Sequence, residues 1–503
     1  MPMATKVWQR PLGAVPLEGG VVAFRVWAPE AEPTLVLEGR EHALAPAGGG
    51  VWEAEVAAEP GDDYRYRLDG RLWPDPCSRF QPQGVRGPSR VVAPPPVSAG
   101  ARPRLQLEEL VIYELHVGTF SREGTFDGVL RRLRELRELG VTAIELMPVA
   151  TFPGDRGWGY DGVYIYAPHP AYGGPAGLAR LVEASHRVGL AVLLDVVYNH
   201  IGPGADAISA FGPYFTDRHS TFWGDALDYS QPGVREWAIG NAELWIRDYG
   251  IDGLRLDAVH AIYDESPTHV LKELRDRVKA LSTGAFVISE MGPDDFRPLE
   301  EWGHDAMWLD NLHHELHVLL TGEREGYYAD FGTTDGLVQE LTRDRPEQLV
   351  VCAQNHDQVG NRAIGDRLPP DAHRVALAVV LFSLSAPLLF MGEEYDEPRP
   401  FQFFADHIDP LIADATREGR RREFAKFAAF AGEGVPDPQA LSTFEVSRIE
   451  PREPDPLYRE LLRLRRELPR ELHVARDGRR LTLTRGRATL VADFEHRTVE
   501  LLG

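Results

Sequence analysis

At 503 residues, with 43% hydrophobic and 26% charged residues, the chain is too long for one ordinary core and reads as a soluble protein of two or three domains, unless one large barrel takes most of it. No apolar run reaches the ~18 residues that span a bilayer, and the N-terminal stretch Met-Pro-Met-Ala-Thr-Lys-Val-Trp-Gln-Arg has no apolar leader segment, which excludes a membrane protein and points to the cytoplasm. Lys+Arg 54 against Asp+Glu 77 leaves a net charge of −23, a surface that repels nucleic acid and anionic lipid and suits a neutral ligand.

Residues 1–95 look all-β: Val21–Trp27, Thr34–Leu37, Val51–Val56 and Tyr64–Leu68 alternate or run apolar between Gly- and Pro-rich turns, the pattern of a β-sandwich. Trp27 and Trp52 lie within it, and alternating tryptophans in a sandwich are usually core. A Pro-rich linker follows over 96–108, beginning in Ala93-Pro-Pro-Pro. From 109 short apolar strands alternate with amphipathic helices. The strands are Leu110–Val117, Val141–Val149, Leu190–Tyr198, Ile251–Val259, Ala285–Glu290, Asp305–Asp310, Gln348–Gln354 and Pro387–Gly392; the helices include 126–139, 175–188, 233–249, 267–281, 371–384 and 456–468. Eight such alternations predict an α/β chain built on a (β/α)8 TIM barrel over 109–468. An open doubly wound sheet is disfavoured because no Gly-rich nucleotide loop follows any strand. Three short strands within 469–503 (480–483, 488–492 and 498–502) predict a small C-terminal β unit. Cys77 and Cys352, the two cysteines, lie far apart in sequence, so no disulfide framework is expected.

Barrels of this type work at the C-terminal ends of their strands, and here four strands end in ionisable groups. The third ends in Asp195-Val-Val-Tyr-Asn-His200, the fourth carries Arg255, Asp257 and His260, the fifth ends in Ser289-Glu290, and the seventh in Gln354-Asn-His-Asp357-Gln358. Such a set holds carboxylates, no serine nucleophile with a base and no paired cysteines. His313-His314-Glu-Leu-His317 falls one residue short of a zinc-binding H-E-x-x-H, so neither metal nor other cofactor is expected. Trp158, Tyr160, Tyr164 and Tyr198 supply aromatic faces of the kind that stack on a pyranose. Carboxylates beside aromatics suggest glycoside hydrolysis by two catalytic acids. Arg255, two residues from Asp257 on the same strand face, depresses the pKa of that carboxyl and suits it to be the nucleophile. Glu290, with no cation adjacent in sequence, suits the general acid. Asp357 suits stabilisation of an oxocarbenium-like transition state, and Asp195 would orient neighbours such as His200.

The motifs Asp195-Val-Val-Tyr-Asn-His200, Gly253-Leu-Arg-Leu-Asp257, Ser289-Glu290 and Asn355-His-Asp357, in this order on strands three, four, five and seven, resemble the α-amylase family of glycoside hydrolases. That resemblance implies Asp257 as nucleophile, Glu290 as acid/base and Asp357 as transition-state stabiliser. It places Arg255, His200, Asp195 and His356 around the cleaved glucose and makes Tyr160 a stacking residue. Further stretches (Val117–Phe120, Arg156–Gly162, Leu319–Tyr328, Gln354–Arg362 and Phe401–His407) are similar to the trehalohydrolase branch. Members of that branch cut the α-1,4 bond next to the terminal trehalose of malto-oligosyltrehalose, releasing trehalose and maltodextrin, and act after a malto-oligosyltrehalose synthase. The resemblance places Asp310, His313 and His314, with His260, on the leaving-group side, and Gln358 among the substrate contacts; Asn311 stands where the branch has an acid. Branching or debranching of glycogen or starch is the alternative activity within the family, and a dead barrel that only binds glucan is disfavoured by the presence of all three carboxylates.

Overall fold

The structure, a computed structural model, describes residues 7–95, 102–292, 294–424 and 434–503. At its centre eight parallel strands close into a barrel: Ile112–Leu115, Ala143–Leu146, Ala191–Val196, Gly253–Leu256, Phe286–Ser289, Ala306–Trp308, Leu349–Cys352 and Ala386–Phe390. Their residues are mostly aliphatic and buried, as a sheet covered on both faces requires. The strands are shorter than the apolar runs that announce them. Val141–Val149, for example, contributes only Ala143–Leu146 to the ladder, because the chain stays buried after it has left the sheet.

Successive strand residues point alternately inward and outward. Ile112, Ala143, Leu193, Ile288 and Trp308 belong to a separate apolar cluster that fills the barrel. Two residues beyond each of them stand Glu114, Glu145, Asp195, Glu290 and Asp310. Arg255 lies in register between Asp195 and Ile288 and shares their inward face. The alternation that packs the barrel's interior thus also carries its charged groups to the rim.

Helices Gly174–Arg187, Pro232–Leu244, Val270–Leu281, Asn311–Thr321, Pro370–Phe382 and Pro456–Glu467 cover the outside. The helix expected over 126–139 is instead two, Phe126–Leu130 and Leu133–Leu139, with Arg132 at φ −105° and ψ 0° capping the second. The one expected over 233–249 ends its α-helical part at Leu244 and finishes as a widened π turn, Trp245–Tyr249, stopped by Gly250 at φ +76°. Among the described residues no helix is long and apolar enough to cross a membrane.

The N-terminal strands form two antiparallel sheets, one running Gly13–Leu17, Val21–Trp27, Val51–Ala57, Ala45–Gly48, the other built around Thr34–Leu37 and Asp63–Leu68. Trp27 is core: it is buried, meets Tyr214 edge to face at 5.2 Å, and lies so close to Gly233 that a Cβ there would come within 2.0 Å of its ring. Trp52 is half-buried and donates to Ala28 O (3.1 Å). Tyr66 meets Phe211 at 5.9 Å and Trp237 Nε1 donates to Pro76 O at 3.3 Å, so sandwich and barrel share one apolar core. Of the linker expected over 96–108, residues 96–101 lie outside the described residues.

The C-terminal unit has four strands rather than three: His473–Asp477, Arg480–Arg485, Ala488–Asp493 and Thr498–Leu502. The first is a largely exposed edge whose residues show no apolar alternation, which hid it in the sequence. Buried Arg465 and Arg485 dock this end of the chain on the barrel. They donate to Ser383 O at 2.6 and 3.4 Å and, with Leu381 O and Phe382 O, satisfy carbonyls that helix Pro370–Phe382 leaves open at its C-terminus.

Candidate active site

Arg255, fully buried, is the hub of the rim. Its Nη1 donates to Asp195 Oδ2 (2.7 Å) and to Asp257 Oδ1 (2.8 Å), and its guanidinium lies 4.2 Å from the centroid of the Trp308 ring. Nη2 stands 2.8 Å from Glu290 Oε2, a contact of charge rather than a well-directed hydrogen bond. No cation adjoins Glu290 in sequence, as expected, but barrel closure brings Arg255 to it from the adjacent strand. Ala258 N also donates to Glu290 Oε2 (2.8 Å), aimed there by a left-handed backbone at φ +40°. Asn199 Nδ2 donates to Asp257 Oδ2 (2.8 Å), so this asparagine serves the nucleophile candidate. Burial raises the Asp195 carboxyl to about 7, with Arg255 opposing.

A second cluster faces the first. Tyr160 OH donates to Asp195 Oδ2 (2.7 Å) and accepts from His356 Nε2 (2.7 Å), and its ring stacks on the imidazole at 5.2 Å between centroids. His356 Nε2 also lies 3.4 Å from Asp357 Oδ2, while Asn361 Nδ2 donates to Asp357 Oδ1 (2.9 Å). Burial alone would lower the His356 pKa, but the charges of Asp357 and Glu114 and the hydrogen bond to Glu114 raise it to about 10, so it is an imidazolium at neutral pH. Asp195 orients Tyr160 and Arg255 and not, as expected, His200. That histidine's Nε2 binds Tyr160 O (2.9 Å) and its Nδ1 meets Asn199 Oδ1. Gly159 sets Tyr160 in place at φ +102°, where a Cβ would fall 2.0 Å from Pro148 O. Gly159→Ala is expected to displace Tyr160 and lower kcat/KM by about 10²-fold, the scale of an ångström-sized misplacement, with melting followed alongside to separate this from unfolding.

Beyond Glu290 and Asp357 opens a cavity of about 660 Å³ whose walls include Asp310, His314, Tyr327 and Arg362. Burial first, then the charges of Glu290 and Asp357, raise the Asp310 carboxyl to about 7. Gln358 is buried, belongs to this wall, and hydrogen-bonds Asp310. His313 is not part of it: its Nδ1 binds Ala353 O (2.6 Å) and its Nε2 binds Tyr328 OH (3.1 Å), inside the helix packing. His260 sits exposed on a 3₁₀ turn, Val259–Ala261, outside the same wall. Tyr164 and Tyr198 are core rather than rim, and Trp158 is buried against Phe401 at 5.1 Å. The apolar face at the opposite end comes from a hairpin, Phe215–Thr221 with Gly224–Leu227, whose turn places Trp223 flat on His200 at 4.2 Å. The adjacent Phe222-Trp223 between polar strands was the available signal for it. Among the described residues no group of three or more His, Cys, Asp or Glu could hold a metal ion.

Such an arrangement, two carboxyls bridged by one arginine with a third carboxyl opposite, can deliver a proton, a nucleophile and a counter-charge to one acetal carbon. Comparison with known proteins points the same way. Residues 114–212 match the alpha amylase catalytic domain and residues 11–95 match carbohydrate-binding module 48, the isoamylase N-terminal domain. The malto-oligosyltrehalose trehalohydrolase of Deinococcus radiodurans is 43% identical over 94% of this chain and 85% of its own length; that of Saccharolobus solfataricus is 43% identical over 81% and 78%. A 1,4-alpha-glucan branching enzyme of Xanthomonas campestris is 28% identical over 75% of this chain and 60% of its own. Among solved structures, a Salmonella typhimurium protein named as an alpha amylase superposes with a TM-score of 0.86 at 36% identity, covering 95% of this chain and 92% of that one.

Proposed function

Because the chain belongs to the malto-oligosyltrehalose trehalohydrolase family of α-amylase-type glycosidases, we propose that Asp257, Glu290 and Asp357 hydrolyse the α-1,4 bond next to the terminal trehalose of a malto-oligosyltrehalose. Glu290 protonates the leaving oxygen while Asp257 attacks the anomeric carbon from the opposite face, giving a covalent glucosyl-enzyme. Glu290, now a carboxylate, takes the proton from the water that attacks that carbon and releases maltodextrin with net retention. Asp357, with the His356 cation beside it, faces the oxocarbenium-like transition state and the hydroxyls of the cleaved glucose. A general acid lies on the leaving-group side of the bond it breaks, so the cavity beyond Glu290 is assigned to trehalose, with Asp310, His314 and Gln358 as its polar contacts. Tyr160, Asp195, His200 and Arg255 hold the donor glucose and the nucleophile. In this reading 1–95 is a sandwich that braces the barrel, 109–468 is the catalytic unit and 469–503 a small β unit. The enzyme works in the cytoplasm, after a malto-oligosyltrehalose synthase.

The observation that carries the proposal is the single arginine shared by Asp257 and Glu290 at the mouth of that cavity. Incubation with maltotriosyltrehalose, beside maltopentaose and an α-1,6-branched glucan, tests it by product analysis. Free trehalose from the first, with little action on the others, is expected. Maltose from maltopentaose, or linear chains from the branched glucan, would move the enzyme to a neighbouring specificity.

A further inference from the structure

Glu114 touches none of the groups that the hydrolytic reading assigns to the scissile bond, yet it is 1% exposed and spends both carboxylate oxygens on one residue of the site. Oε1 accepts from His356 Nδ1 (2.5 Å) and Oε2 from His356 N (2.9 Å). The first barrel strand carries it, in register with Glu145 of the second. From His356 the contacts run on through Nε2 to Tyr160 OH and from Tyr160 to Asp195 Oδ2.

We infer that Glu114 is a positioning residue: by holding both Nδ1 and the backbone nitrogen of His356 it keeps that imidazole charged and aimed, so that Nε2 always donates and the Tyr160 hydroxyl always turns its own hydrogen toward Asp195. The inference rests on the hydrolytic reading for its effect on rate but not for its effect on the histidine itself.

The inventory of charges around the ring supports this. Asp357 faces it from its own segment, Glu114 from the first strand and neutral His116 just beyond it, Arg255 from the fourth and Tyr160 from the loop after the second; Glu145 and Asp195 act on it from the second and third strands. Arg255 is already committed to Asp195, Asp257 and Glu290. Glu145 has no hydrogen-bond partner at either oxygen, and its burial, then the charges of Glu114 and Asp195, raise its pKa well above its ordinary value, which disfavours its charged form. Glu114 is therefore the anion that meets Nδ1. A neutral imidazole there would have a choice of tautomers, and one of them would present a lone pair at Nε2 and reverse the Tyr160 hydroxyl.

Glu114→Gln keeps the shape and removes the charge. Two readouts test it on the full chain. In the first, ¹⁵N-histidine NMR, with the His356 signal assigned by its loss in His356→Gln, follows protonation without substrate. The expected result is an imidazolium up to about pH 9 in the native chain and a titration at least one pH unit lower in Glu114→Gln. In the second, initial rates on maltotriosyltrehalose are taken across the same range. Glu114→Gln should lose kcat at each pH in proportion to the neutral fraction of His356 that NMR reads there, with KM nearly unchanged. Its alkaline limb should move acidward by the shift that NMR reads, and it should add no further loss on the His356→Gln background. Glu114→Asp, which keeps the charge, should leave the limb in place, and Glu114→Met, which also removes the charge, takes over both assays if the glutamine variant does not fold. An unmoved His356 titration overturns the inference, as does a kcat loss equal at all pH values or additive with His356→Gln. A shifted titration in a chain that releases no trehalose would retain the inference and sink the hydrolytic reading instead.

Discussion

Glu290→Ala and Asp257→Gly should both stop trehalose release from maltotriosyltrehalose, the first by about 10²- to 10⁴-fold, as for a lost general acid, the second by roughly 10⁴-fold or more, as for a lost nucleophile. Their difference lies in what azide does with an α-glucosyl donor whose leaving group needs no protonation. In Asp257→Gly the anion can occupy the space of the missing carboxylate and attack the anomeric carbon directly, which inverts it and yields a β-glycosyl azide. In Glu290→Ala the glucosyl-enzyme still forms on Asp257, and azide opens it without needing a base, which yields the α-glycosyl azide. The anomer, read by proton NMR of the product, assigns the two carboxyls independently of how large either rate loss is. Exchange of the two products would exchange the two roles, and an α-azide from both variants would leave the reaction without Asp257 as its nucleophile.

Arg255→Met should be the most destabilising single change at the rim. It leaves Asp195, Asp257 and Glu290 facing one another with no cation between them. Removing one partner of a buried ion pair costs about 3–5 kcal/mol, a large part of the ~5–15 kcal/mol by which a typical protein is stable. Lysine is a poor substitute, because a single ammonium cannot reach three carboxyls in the geometry of the guanidinium fork. The deficit depends on pH in a defined direction. Burial already raises Asp195 to about 7 with Arg255 present, and removing the arginine can only raise it further. An acid whose pKa is higher in the folded than in the unfolded chain binds more protons when folded, so both chains lose this contribution as pH rises from about 4 through 7, and only the variant goes on losing it above 7. Urea midpoints for the native chain and the variant should therefore converge at pH 5 and separate at pH 8. Parallel curves at both pH values would count against buried charge as the cause.

The catalytic carboxyls were readable because strand alternation is a short-range rule. Asp195, Arg255, Asp257 and Glu290 stand at fixed offsets along buried strands, and a barrel turns equal offsets into proximity. Which cation meets which carboxyl was not readable. Glu290 has no charged neighbour in sequence, and its Arg255 contact exists only because the fourth and fifth strands are adjacent. Glu114 escaped notice for a related reason: one glutamate inside Ile-Tyr-Glu-Leu carries no signal until closure brings His356, beyond the strand of residues 349–352, against it. The aromatics failed in the opposite direction. Tyr164, Tyr198 and Trp158 follow strand ends, as a sugar platform should, but all three are buried, Trp158 under Phe401 and Phe403, while Trp223 reaches the site from a hairpin tip far from any barrel strand end. His313 and His314 are adjacent in sequence and separate in role because consecutive helix positions are about 100° apart: one turns into the helix packing, the other into the cavity.

The seam between the sandwich and the barrel bears on how this enzyme meets a polymer. A binding module on a flexible tether increases the local concentration of substrate in proportion to what its linker lets it sweep, and that gain changes with linker length. Here Trp27 is inserted against Gly233 and Tyr214, Tyr66 packs on Phe211, and Trp237 reaches back to Pro76. With its aromatics spent on that contact, the domain has one fixed orientation and no sweep. Whatever it contributes to capturing a glucan must come from adding surface at a set angle to the cleft, so lengthening the connection between the two domains would loosen the barrel's wall without extending its reach.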